Sequence, residues 1–145
     1  MLKPIYKSGN IILDTKKAAN TISLHIKELL LNIFKYDIPV LTLSQEELKI
    51  CFLENPFLEL TSDIKTLHVT FLNKIPDKAL IEQLETPVYK NDQYTIIKKN
   101  IYLYTPDGYA KTKFSNAIFE KKLNIQATTR NWKTVTKLYE MILTN

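Results

Sequence analysis

Basic side chains gather late in this chain. Lys111, Lys113, Lys121, Lys122, Arg130 and Lys133 lie in or just after the segment Asp107–Trp132, with Tyr109, Phe114 and Trp132 between them. Ammonium and guanidinium groups neutralise phosphate or carboxylate, and Arg adds a planar two-pronged donor. Aromatic faces can stack bases. The anion-binding candidates are therefore Lys111, Lys113, Thr128, Thr129, Arg130 and Asn131, and the stacking candidates are Tyr109 and Trp132. Thr128 or Thr129 is expected to cap the last helix, whose free N–H groups would add a small anion site. A purely structural arrangement uses the same residues. A Thr caps, Trp132 fills the groove between the last two helices, and Arg130 pairs with an acid.

Other chemistry has less support. His68 is the general-base candidate, since an imidazole titrates near neutrality; an imidazole bonded across a sheet is the alternative. Cys51 lies among apolar residues on a helix, where a thiol behaves as a small hydrophobe. His25 and His68 have no Cys or carboxylate at zinc-like spacing, so no metal site is expected. Glu46 and Glu47 form an acidic pair that a helix start explains without catalysis. No catalytic constellation emerges, and no cofactor is implied. The chain reads as a binding protein rather than an enzyme.

Charge is unevenly placed. Residues 1–92 carry 11 Lys against 12 acids, whereas residues 93–145 carry eight Lys and Arg130 against Asp107, Glu120 and Glu140. The overall net charge of +5 is therefore a C-terminal excess. It suggests an anionic partner for that part of the chain. Abundant Lys, Ile and Asn also follow from AT-rich coding, which leaves a merely solvated basic face as the alternative. One cysteine cannot form an internal disulfide, and no apolar run approaches the ~18 residues of a membrane span. A cytoplasmic protein without membrane contact is expected.

The elements that position these residues follow from periodicity. Ile5 to Leu13 reads as a strand interrupted at Ser8-Gly9-Asn10. Asp14 or Thr15 is expected to cap a helix reaching Phe34, with Ile22, Ile26, Leu29, Leu30 and Ile33 at helical spacing. Ile38 to Leu43 reads as a second strand. Ser44-Gln45-Glu46-Glu47 is a capping box opening a helix that turns Leu48, Cys51 and Phe52 inward. Thr66 to Leu72 alternates as a strand, with Leu67, Val69 and Phe71 on one face and His68, Thr70 and Leu72 on the other. Pro76 and Asp77 open a short helix. Tyr94–Ile97 and Ile101–Tyr104 form a hairpin around Lys98-Lys99-Asn100. Thr105-Pro106-Asp107-Gly108 is a turn, and helices are expected from Lys113 to Leu123 and from Asn131 to Leu143.

Several segments in one order carry a family resemblance. They are Tyr6-Lys7-Ser8-Gly9-Asn10-Ile11-Ile12, Asn55-Pro56-Phe57, Leu67–Leu72 and Pro106-Asp107-Gly108. Lys111–Ala117, Lys121-Lys122-Leu123 and Ala127–Trp132 continue the series. From Tyr6 to Ile142 the chain resembles the bacterial domain-of-unknown-function family 1697. That resemblance implies two packed α+β subdomains of related, ferredoxin-like topology and no established biochemical role. It also implies that the usual N-terminal strand and helix are missing, which would expose a sheet edge.

The expected fold is α+β: an incomplete first subdomain over residues 1–62 and a ferredoxin-like second one over 63–145, with an extra C-terminal helix. Three functions fit. The first is binding of an anionic ligand or nucleic acid through the basic C-terminal face. The second is a small-molecule enzyme using His68 as base and Arg130 as anion clamp. The third is a protein-interaction module that forms a homodimer through an exposed sheet edge.

Overall fold

The computed structural model describes residues 2–5 and 9–144, and it is α+β. The chain begins with β1 (Leu2–Ile5) and β2 (Asn10–Leu13), paired antiparallel with Leu2 opposite Leu13 and Ile5 opposite Asn10. The single interrupted strand expected over this stretch is therefore a hairpin. Gly9 takes φ 72° at its turn, in the region that glycine enters without a Cβ penalty. Ser8, the first residue of the expected interruption, lies outside the described residues.

Helix α1 (Ala19–Phe34) starts later than Asp14 or Thr15, and no side chain caps it. Thr15 Oγ1 instead accepts from the Lys17 N–H. Of the five apolar residues at helical spacing, Ile22, Ile26 and Leu30 are half-buried while Leu29 and Ile33 stay exposed. Residues 38–43 form no strand. They have no regular secondary structure and are joined to α1 by the hydrogen bond between Ser23 Oγ and Thr42 Oγ1, 2.6 Å. Leu41 and Leu43 pack against the core. Half-burial of Val40 to Leu43 against the core needs no strand partner.

Helix α2 (Gln45–Leu53) carries the expected capping box. The Glu47 N–H donates to Ser44 Oγ, and the Ser44 N–H donates to Glu47 Oε2 at 2.8 Å. After α2, β3 (Leu67–Leu72), α3 (Lys78–Glu82), β4 (Gln93–Ile97), β5 (Asn100–Tyr104), α4 (Asn116–Leu123), β6 (Ala127–Asn131) and α5 (Trp132–Leu143) follow. Asp77 and Ser115 cap α3 and α4. α4 thus begins at Asn116 rather than Lys113. Lys98 turns the β4–β5 hairpin at φ 53°, and Gly108 closes its turn by donating to the Thr105 carbonyl.

Four strands form one antiparallel sheet in the order β4-β5-β3-β6. β3 is central, and every one of its residues is buried because both faces of the sheet are covered. On one face Leu67, Val69, Phe71 and Tyr102 meet Leu48 and Cys51 of α2 and Trp132 and Val135 of α5. On the other, Leu72, Ile101 and Leu103 meet Phe114 and α4, with Leu80 and Ile81 of α3 alongside. Strand β6 is the element sequence periodicity missed. Ala-Thr-Thr-Arg-Asn has no apolar alternation, and only pairing with β3 makes it a strand.

Candidate functional site

Arg130 is the fourth residue of β6, opposite Val69. Side chains opposite one another across an antiparallel pair share a face. Arg130 and Thr128 therefore leave the sheet on the side of Val69 and Phe71, whereas Thr129 and Asn131 leave on the side of Thr70 and His68. The guanidinium is half-buried. Its Nε donates to Asn10 Oδ1 of β2 at 2.7 Å, and one terminal nitrogen donates to Thr128 Oγ1 at 2.7 Å and the Thr129 carbonyl at 3.0 Å. All three acceptors are neutral. No ion pair reaches Arg130 among the described residues, which include every Asp and Glu of the chain. Burial lowers its pKa from the ordinary value, as expected of a cation partly removed from water. The acid partner that a structural role predicts is not there.

The other candidates are spread around this point. Neither Thr128 nor Thr129 caps α5. Both lie inside β6, and the cap is Asn131, whose Oδ1 accepts from the Thr134 N–H at 2.8 Å. Thr129 Oγ1 is bonded to Thr70 Oγ1 at 2.7 Å. Trp132 is buried, and its ring stacks on Phe52 with centroids 5.4 Å apart, so it belongs to the core beneath α2 and offers no face to a base. It sits nowhere near the groove between α4 and α5, where the structural reading placed it. Tyr109 is half-buried and stacks on His68 at 4.4 Å. Lys111 and Lys113 are exposed near the end of β5, while Lys121 and Lys122 lie at the far end of α4, on the way into β6. The basic segment therefore serves both ends of the sheet.

His68 is buried, its Nδ1 has no hydrogen-bond partner, and burial pulls its pKa down to about 4. It is neutral at pH 7. Because it faces away from Arg130, one pocket cannot use both, and the His68–Arg130 enzyme is not what this sheet builds. Cys51 is fully buried, and desolvation pushes its thiol up to about 12. Such a thiol is no nucleophile at neutral pH. Among the described residues, no group of three or more His, Cys, Asp or Glu side chains could hold a metal ion. No helix of the described residues is long and apolar enough to cross a membrane.

A surface depression of about 570 Å³ lies elsewhere, between Asn73, Lys74, Glu120, Lys121, Asn124 and Gln126. Two of its side chains are engaged in hydrogen bonds. The Gln126 N–H donates to Asn73 Oδ1, and Glu120 Oε1 accepts from Asn116 Nδ2 and the Ala127 N–H.

A family model described as "Protein of unknown function (DUF1697)" matches residues 3–102, more than half of the chain. The chain belongs to the DUF1697 family. The matched range of this DUF1697 chain begins within β1, takes in β2, α2 and β3, and ends within β5. The segments from Pro106 to Trp132 lie beyond it, so Arg130 does too. No curated protein and no solved structure matches the chain. Sequence reasoning found Arg130 but missed Asn10 as its partner. Asn10 reads as a turn residue, and no local signal links it to a strand 120 residues away.

Proposed function

We propose that this protein binds an anionic ligand, a phosphate or carboxylate group, through its basic C-terminal part, with Arg130 as the principal contact. One observation carries the reading. Arg130 is a half-buried guanidinium held by three neutral acceptors, with no Asp or Glu paired to it among the described residues. A partly desolvated charge without a counter-ion is unfavourable, and a bound anion offsets that cost through short, charge-assisted hydrogen bonds. The Asn10, Thr128 and Thr129 contacts fix the guanidinium plane in advance. Exposed Lys133 and Lys137, on the helix that follows β6, add long-range attraction.

Binding is favoured over catalysis because His68 and Arg130 are on opposite faces. A single-stranded nucleic acid is the extended form of the same ligand, reached through Arg130 and the lysines rather than through ring stacking. The element order from β3 to β6 and the sheet order β4-β5-β3-β6 support reading residues 63–145 as a ferredoxin-like unit with α5 added. The buried free thiol of Cys51 supports a reducing, cytoplasmic setting.

The test is titration of the protein with inorganic phosphate and with a short single-stranded oligonucleotide over a salt series. Arg130→Ala is expected to abolish phosphate binding, while Arg130→Lys keeps the charge but loses the fork and retains only weak binding. Oligonucleotide affinity is expected to fall steeply with salt. Equal binding by wild type and Arg130→Ala, for both ligands, would overturn the proposal.

A further inference from the structure

Both edges of the four-stranded sheet can be read from its hydrogen-bond parity. The Thr105 N–H donates to the Thr66 carbonyl at 2.8 Å, and the Leu72 N–H to the Lys99 carbonyl at 2.9 Å. Even-numbered residues of β3 therefore bond toward β5 and odd-numbered ones toward β6, in agreement with Asn73 donating to the Gln126 carbonyl. In β5, Ile101 and Leu103 face β3, which leaves Asn100, Tyr102 and Tyr104 to bond β4. Their partners are Ile97, Thr95 and Gln93. The backbone groups of Tyr94 and Ile96 consequently point outward from the edge, and no backbone or side-chain hydrogen bond covers them among the described residues.

The two edges are treated differently. On β6 the outward residue Thr129 gives its carbonyl to Arg130, so that edge is blocked by its own side chain. β4 has no such protection. Gln93-Tyr94-Thr95-Ile96-Ile97 contains no charge and no proline, the devices by which edge strands ordinarily resist pairing. We propose that β4 is a self-pairing edge: two copies of this chain join antiparallel along Gln93–Ile97, about a two-fold axis at Thr95.

Parity and chemistry agree on that register. Antiparallel pairing of outward-facing residues sets Tyr94 opposite the partner's Ile96 and leaves Thr95 opposite the partner's Thr95 as the non-hydrogen-bonded pair. Aromatic with β-branched and Thr with Thr are favourable cross-strand pairs. The contact is isologous and closes at two copies. No charged side chain opposes the pairing: Asp92, before the strand, is buried, and the exposed Lys98 of each copy lies at the opposite end of the paired strands from its counterpart.

The experiment is sedimentation velocity over a concentration series, joined to oxidative cross-linking of Thr95→Cys. A non-hydrogen-bonded pair brings Cα atoms to roughly 4.5 Å, within disulfide reach, and buried Cys51 does not compete. Wild type is expected to show a monomer–dimer equilibrium, and Thr95→Cys to form a covalent dimer on oxidation. Thr95→Lys and Thr95→Glu are each expected to weaken self-association several-fold while keeping wild-type circular dichroism, and an equimolar mixture of the two to restore it. A wild type that stays monomeric throughout overturns the proposal. So does a wild-type dimer that Thr95→Cys fails to cross-link and Thr95→Lys fails to weaken, since it associates elsewhere.

Discussion

Asn10 and Arg130, 120 residues apart, are joined by a hydrogen bond of 2.7 Å from the guanidinium Nε to the carboxamide oxygen. The bond ties the N-terminal hairpin to the outermost strand of the sheet. It also holds the charged group of the proposed anion site in one orientation, so folding and binding meet in one side chain.

That pairing predicts energetic coupling. Asn10→Ala and Arg130→Ala are each expected to lower stability, and the double variant to fall short of their sum by about 1 kcal/mol. Urea unfolding of the four proteins gives the cycle. Strict additivity would show that the bond is not maintained in solution.

His68 predicts a pH dependence. Its folded pKa of about 4 lies below the ordinary 6.5, so between those values the unfolded chain binds a proton that the folded chain refuses. Stability then falls as the pH drops from 6.5 toward 4, by at most about 3 kcal/mol, and this residue contributes no slope above that window. His68→Phe keeps a ring against Tyr109 and removes the titrating nitrogen. The difference between the two stability–pH curves should carry the effect; parallel curves would exclude it.

Cys51 is expected to resist thiol reagents in the folded protein, with labelling limited by unfolding. Tyr102 Oη donates to the Cys51 carbonyl at 2.9 Å inside the core. Tyr102→Phe leaves that carbonyl unpaired, so it should lose about 1–3 kcal/mol and label faster. Rapid labelling of wild type without denaturant would contradict the packing described here.

At the start of α2, Ser44→Ala is expected to lower stability by about 1 kcal/mol through loss of the cap. Burial pulls the Glu47 pKa upward, but Lys99 and the Ser44 contacts outweigh it and hold the carboxyl below its usual range. The stabilisation is therefore present at neutral pH and lost as the pH falls below 4.5 through the folded value. Thermal melting of Glu47→Gln against wild type should show a deficit at neutral pH that closes in acid.

Local signals were legible wherever a short stretch of chain decides its own conformation. The Ser44 capping box, the helix start at Pro76 and Asp77, the Lys98–Lys99 hairpin turn and the Thr105–Gly108 turn all depend on residues within three or four positions, and all formed as read. The α+β class and the alternation of β3 were legible for the same reason. Where partners are distant, the reading failed. Residues 38–43 had strand-like composition but no strand beside them. Thr128 and Thr129 were read as caps because nothing local reveals that β3 will pair with them. Whether Trp132 stacks a ligand or packs inside could not be told locally, because its stacking partner, Phe52, belongs to α2.

The sequence alone determined which residues carry charge, where helices and turns begin, and that Arg130 stands among lysines and threonines. Only the tertiary structure decided what those residues face. Strand pairing put His68 and Arg130 on opposite sides of one sheet, buried Trp132, gave Asn10 to the guanidinium, and turned the backbone groups of Tyr94 and Ile96 outward from the edge. The physical reason is that a side chain's face follows from strand register, and register is set by contacts across the whole chain rather than by neighbours along it.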